Sequence, residues 1–274
     1  MPWLLLLGVV LLAPLASCAR RSVCAACAYP GPATPPSTFV LPDRAASIAA
    51  LSETFARQEH GLSVLWLSGG GAYGAWGAGV LQGWSQSGTR PPHFALVIGI
   101  STGSLQATYA FLGSAYDEGL KQAYTNISNP DIFRRRWWLS VPFASSLRIT
   151  DPLQATLAHY ITDDMIDQVG QSYRQERRRL LVSTVDLAVG SVVTWDLTAL
   201  AASTDAQRYA YYRQILLAAT AIPVVFPPVR LNGAIHVDGS VRNQVFGILL
   251  SHALSAAWPI GHENHFFGSA GVGL

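Results

Sequence analysis

The sequence predicts an α/β protein, a three-layer sandwich around a mainly parallel central sheet. Three observations carry that prediction. Two apolar runs of strand length, 62–67 and 94–100, each end in a glycine cluster, and a helix-like stretch follows each cluster. Further on, a strand pair and more helical stretches alternate with one another. Strand, helix, strand is the repeating unit of a parallel sheet whose strands are buried on both faces.

Taken in order, residues 45–60 have the make-up of a short helix, and Leu62-Ser63-Val64-Leu65-Trp66-Leu67 reads as a buried strand running into Ser68 and glycines. Ala75, Ala78, Val80, Leu81 and Trp84 then recur at helical spacing until Gly88. The second strand, 94–100, leads straight into Ser101, and 105–112 continues as a helix. Residues 163–179 form an amphipathic helix, with Asp163, Asp164 and Asp167 on its solvated face. A strand pair at 180–186 and 192–196 and a helix at 207–221 complete the pattern. With no internal repeat and no shift of composition between 45 and 250, one catalytic domain is expected over 45–274.

Of the 274 residues 50% are hydrophobic and 12% charged, enough apolar material for one sizeable core. The net charge is +2 and Lys121 is the only lysine, so no broad positive field draws nucleic acid to the surface.

Ahead of the domain, 4–15 is an almost unbroken apolar stretch, too short to span a bilayer and followed by small residues, as in a signal peptide over 1–17. Leu15-Ala16-Ser17-Cys18 resembles the lipobox of bacterial lipoproteins, which implies a diacylated Cys18 as the first residue of the mature chain. Membrane anchorage in a bacterial cell envelope follows, at the outer membrane and facing the periplasm. The residues before Leu4 carry no Lys or Arg, which leaves an uncleaved anchor or plain secretion as alternatives. A lipidated tether is expected over 18–44, where Pro30, Pro32, Pro35, Pro36 and Pro42 favour extended chain. Cys24 and Cys27 lack a second pair for zinc and read as a local disulfide or idle thiols.

Both glycine clusters fall at strand-to-helix turns, where ligands bind in parallel α/β sheets. Gly99-Ile100-Ser101-Thr102-Gly103 is a Gly-x-Ser-x-Gly turn: glycines on both sides allow the tight connection that projects a serine hydroxyl above a helix N-terminus. Serine needs a base and donors for a developing oxyanion before it acts as a nucleophile. Gly69-Gly70-Gly71-Ala72-Tyr73-Gly74 has no Gly-Lys-Ser/Thr after it and no acidic residue some twenty positions on, so a nucleotide loop is disfavoured. Consecutive amides turned toward one point instead make an oxyanion hole.

These two motifs, with Asp238-Gly239 late in the chain and Ala218-Ala219-Thr220-Ala221-Ile222-Pro223 before it, resemble the patatin-like phospholipases over about residues 62–245. The resemblance implies a patatin-like sandwich and a Ser-Asp dyad, with Ser101 as nucleophile and Asp238 as base. It places Gly69, Gly70, Gly71 and Ala72 around the oxyanion and makes Gly74, Gly99, Gly103 and Gly239 the glycines of the motifs. A phospholipid, lysophospholipid or other acyl ester is the implied substrate, with no cofactor and no metal. Tyr73 stands where the family commonly has Arg or Lys, and Ser240 where it has Gly or Ala. The Gly- and His-rich tail after Trp258 leaves open an incomplete C-terminal part, lacking the last sheet strand.

Two other readings compete. A Ser-Asp-His esterase or thioesterase could draw on Ser101, Asp186 or Asp196, and His236 or His252. A non-catalytic lipid-binding lipoprotein would not need Ser101, Asp238 and the three consecutive glycines together. Arg134, Arg135 and Arg136 beside Trp137, Trp138 and Phe143 suit a lipid interface or, equally, a basic loop over buried tryptophans.

Overall fold

The computed structural model describes residues 40–41, 44–56, 62–132, 134–135, 146, 148–149, 151–242 and 264–269. Its central sheet has eight strands: β1 (Val40–Leu41), β2 (Leu62–Leu67), β3 (Leu96–Gly99), β4 (Arg179–Asp186), β5 (Ser191–Asp196), β6 (Val229–Leu231), β7 (Ala234–Asp238) and β8 (Asn264–Ser269). Its main path runs β1-β5-β4-β3-β2-β8, while β7 pairs with both β4 and β6.

Strand direction corrects the expectation of a mainly parallel sheet. The β8-β2-β3-β4 half is parallel, but every pairing made by β1, β5, β6 and β7 is antiparallel. The physical reason lies in the connections, because the turn at 187–190 and the Asn232-Gly233 turn are too short to cross over. Asn232 and Gly233 have φ of 50° and 77°, which suits a two-residue hairpin turn. The tail also holds more structure than expected, since β8 pairs in parallel with β2 along its whole length.

Alternation along the strands fills both faces of the sheet. Val64, Leu96, Ile98 and Leu181 pack against Leu51 and Phe55 of helix α1 (Arg44–Ala56). Leu65, Leu67, Val97, Leu180 and Val182 point to the opposite face and join the larger core. The helices of that core are α2 (Gly74–Gln86), α3 (Thr102–Leu112), α4 (Asp117–Thr125), α5 (Asp151–Tyr160), α6 (Asp163–Glu176), α7 (Leu197–Ala202) and α8 (Arg208–Ala219). The layers are therefore unequal: among the described residues α1 alone covers one face. Arg179 fastens it there, bonding Glu53 at 2.9 Å, Thr54 and the Ala50 carbonyl at 3.0 Å, and Asp196 on β5.

Helix α3 is buried on nearly every side, as expected for a helix with no charged residue that runs under the sheet. The sequence reading found α1, α2, α3, α6 and α8 and the four central strands to within a few residues at each end. It did not anticipate α4, α5, α7 or the β6–β7 hairpin. Asp163 and Asp164 are exposed as expected, whereas Asp167 is half-buried and holds Arg208 and Tyr209.

Candidate active site

The site forms where two strands meet head to head. On one edge β4 pairs with β5 from Leu181 to Asp186, so β3 and β7 must share the other. There Gly99 of β3 lies opposite Val182, and Asp238 of β7 lies opposite Thr184. Because β3 runs parallel to β4 and β7 antiparallel, their C-terminal ends converge on the short gap between those positions. Ser101, two residues past Gly99, thereby meets Asp238, 137 residues further along the chain.

The turn that carries Ser101 is strained. Its φ of 52° and ψ of −127° lie outside the regions favoured by residues with a Cβ. The strain is held by the Ile100 amide on the Leu67 carbonyl at 3.0 Å, and by the Gly103 and Ser104 amides on the Ile100 and Ser101 carbonyls at 2.8 Å. Gly103 explains the second glycine of the motif, since a Cβ there would strike the Leu67 carbonyl oxygen and lie 2.7 Å from that of Ser68. Gly99 explains the first: its Cβ would lie 2.6 Å from Ser104 Cα.

Ser101 Oγ donates to Asp238 Oδ2 at 2.5 Å, the length of a charge-assisted bond to a carboxylate. The Ser240 amide donates to Oδ1 at 2.8 Å, and the Asp238 amide donates to the Ala221 carbonyl at 3.0 Å. Thus the Ala-Thr-Ala-Ile-Pro segment anchors the strand end that bears the carboxylate. Asp238 is fully buried, and burial raises its pKa above the usual carboxylate value of 3.8, against the opposing pull of the Ser101 and Ser240 bonds. A carboxylate made more basic in this way can accept a proton from a hydroxyl in contact with it.

The glycine loop lies across this pair. A Cβ on Gly69 would lie 3.2 Å from Ser101 Cβ and 3.4 Å from Ser240 Cβ, so the loop touches both the elbow and the Asp turn. Gly71 adopts φ of 54°, in the left-handed region where glycine costs least. Within the loop the Tyr73 amide bonds the Gly70 carbonyl, whereas no backbone turn bond among the described residues uses the amides of Gly70, Gly71 or Ala72. Gly70, Gly71, Ala72 and Tyr73 are all exposed residues.

A second layer joins the two glycine motifs, and sequence reasoning missed it. Gln106 Nε2 donates to the Gly74 carbonyl at 2.8 Å and to Tyr124 Oη at 3.2 Å, while Tyr124 Oη lies 2.8 Å from Thr102 Oγ1. One amide and one phenol thus tie the start of α2 to the start of α3. Gly74 must lack a side chain here, because a Cβ would collide with Thr102 Oγ1. The available signal was the spacing: Thr102 and Gln106 stand one helical turn apart, directly after the elbow.

The residues of a Ser-Asp-His triad are not brought together. His236 Nδ1 lies 2.8 Å from Thr184 Oγ1, which also accepts from Trp195 Nε1 at 2.9 Å. Burial pushes the His236 pKa down to about 4. Asp196 pairs with Arg179 and caps α7, and Asp186 caps the turn after β4 by accepting from the Ala188 amide at 2.9 Å. His252, Cys18, Cys24, Cys27, residues 18–39 of the expected tether and the Trp137-Trp138 pair lie outside the described residues, whereas the end of that tether is not free chain, since Val40–Leu41 forms β1 and pairs with β5. No cluster of three or more His, Cys, Asp or Glu suited to a metal occurs among the described residues, and none of their helices is long and apolar enough to cross a membrane.

A serine in a strained strand-to-helix turn, a buried carboxylate on its hydroxyl and an exposed glycine loop beside them are the parts that an α/β hydrolase of the serine class requires. The family model for patatin-like phospholipase matches residues 65–246, and the chain belongs to that family of lipid-ester hydrolases. Among solved structures it is similar to VipD from Legionella pneumophila, with 12% identity and a TM-score of 0.41 over 67% of this chain and 46% of that one. The chain therefore spans less than half of VipD. No curated protein matches it in sequence.

Proposed function

We propose that the chain hydrolyses carboxylic esters of phospholipids or lysophospholipids through an acyl-Ser101 intermediate, with Asp238 as its base. The observation that carries this reading is the 2.5 Å bond between Ser101 Oγ and the buried carboxylate. As Oγ attacks the ester carbonyl, its proton passes to Asp238. The carbonyl π electrons move onto oxygen, where the amides of Gly70, Gly71 and Ala72 receive the charge; each such donor is worth about 100- to 1000-fold in rate. Collapse expels the alcohol, which takes the proton back from Asp238. Water then repeats the attack on the acyl-serine, and free fatty acid leaves. Gly69, Gly74, Gly99, Gly103 and Gly239 keep the backbone close enough for this geometry, and no metal or cofactor enters the reaction. Lipidation of Cys18 would hold the domain at the membrane of a bacterial envelope, facing the periplasm from the outer membrane, a placement that rests on the sequence alone.

Fluorophosphonate labelling of the full chain tests the dyad. Ser101→Ala abolishes labelling and Asp238→Asn reduces it by about a thousandfold or more, while His236→Gln keeps it. Full activity in Asp238→Asn would overturn the reading. In the active protein kcat/KM falls on the acid side through the raised pKa of Asp238, above 3.8. Because burial disfavours the carboxylate, its contribution to stability is whole below pH 3.8 and lost as pH rises through the raised value. Asp238→Asn is therefore expected to unfold at a higher temperature than the wild type at pH 7.

A further inference from the structure

Six large hydrophobic residues are exposed among the described residues: Tyr73, Trp76, Val80, Val189, Val224 and Val241. Five of them lie on the three segments that build the site. Tyr73 closes the glycine loop at the N-cap of α2, and Trp76 and Val80 follow it, one helical turn apart on one face of that helix. Val241 comes three residues after Asp238, in the turn whose Ser240 approaches Gly69. Val224 comes three residues after Ala221, whose carbonyl holds the Asp238 amide. Trp76 is 61% exposed and Val224 67%, too much apolar surface around one site to count as scattered.

Charge identifies the occupant. Residues 61–89 contain no Asp, Glu, Lys, Arg or His, and neither do 214–229; Arg242, after Val241, is the nearest cation in sequence. A protein surface meeting such a face would have to match it in shape, but a lipid surface needs only apolar and aromatic side chains at its interface. Resting on the lipid-ester reading of the same site, we propose that the Tyr73–Trp76–Val80 face, with Val224 and Val241, docks the mouth of the site onto an uncharged lipid surface. Insertion rather than electrostatic attraction holds it there. The ester then reaches Ser101 from the bilayer without first crossing water, and zwitterionic vesicles serve as well as anionic ones.

The test compares two substrates with the full-length protein and its Trp76→Asp and Val80→Asp variants, whose side chains lie outside the catalytic machinery. One substrate is a short-chain p-nitrophenyl ester dissolved as monomer, the other phosphatidylcholine in vesicles. Each variant is expected to hydrolyse the monomeric ester at the wild-type rate but the vesicle lipid about tenfold or more slowly. Wild-type hydrolysis of the vesicles should be unchanged by 0.5 M salt, a concentration of about three times physiological that screens charge beyond a few ångströms. Equal rates on vesicles for variant and wild type, an equal fall on both substrates, or a change of oligomeric state in the variants overturns the docking face. Failure of the wild type on both substrates overturns the lipid-ester reading instead.

Discussion

The two halves of the sheet deliver their groups to the site by different means. In the parallel half, β2 and β3 each run into a glycine-rich turn and a helix, and the backbone next to the strand end places the group. In the antiparallel half, β7 brings Asp238 through a hairpin, and its register on β4 together with its bond to the Ala221 carbonyl decides where the carboxylate lands. The first arrangement is local and rigid. The second is aligned at a distance and depends on what fixes β7 to its neighbours.

Crowding the local half should have the largest effect. Gly103→Ala drives a Cβ into the backbone of Leu67 and Ser68, an obstacle that cannot rotate away, and should cost at least ~3 kcal/mol together with all labelling of Ser101. Gly239→Ala, in the turn after β7, makes a milder overlap, its Cβ lying 2.7 Å from the Ser183 carbonyl oxygen, the nearest atom. It should lose activity with a smaller loss of stability by urea unfolding. Equal stability losses in the two variants would erase the contrast between the halves.

Acid should act mainly on the other half. His236 is buried between β4, β5 and β7 and its pKa is depressed from 6.5 to about 4. The stability it lends is whole above pH 6.5 and drains away as pH falls to about 4, by roughly 3 kcal/mol at full protonation. Unfolding free energies of the wild type and His236→Gln between pH 7 and 4 check this, and parallel curves would refute it.

The smallest effect probes the tie between the two local turns. Tyr124→Phe removes a hydroxyl bonded to Thr102 and Gln106 and should cost about 1 kcal/mol of stability. A loosened loop and elbow should lower kcat about tenfold and leave KM unchanged, because substrate binding is untouched. A rise in KM at constant kcat would assign Tyr124 to binding instead.

The same contrast explains what could be read from the sequence. β2, β3 and the turns after them were legible because glycine, burial and helix spacing act within a few residues of one another. Asp238 was legible only through resemblance to a family: an Asp-Gly pair signals a turn, and nothing near it states that β7 will stop opposite Thr184. The mixed direction of the sheet was missed for a similar reason, since buried strands have the same apolar runs in either orientation. Asn232-Gly233 is a local hairpin signal, and both residues take the positive φ that such a turn needs. His236 could not be separated from a catalytic histidine before its bond to Thr184 was known, and α5 and α7 were too short to show a clear period.

The distance in sequence between hydroxyl and carboxylate also sets when the site can be assembled. Ser101 is synthesised 137 residues before Asp238, which at about 5–20 residues per second means a lag of roughly 7–30 s. Throughout that lag the emerging chain holds a serine without its base. The proposed dyad is complete only once the hairpin docks and β7 stops opposite Thr184.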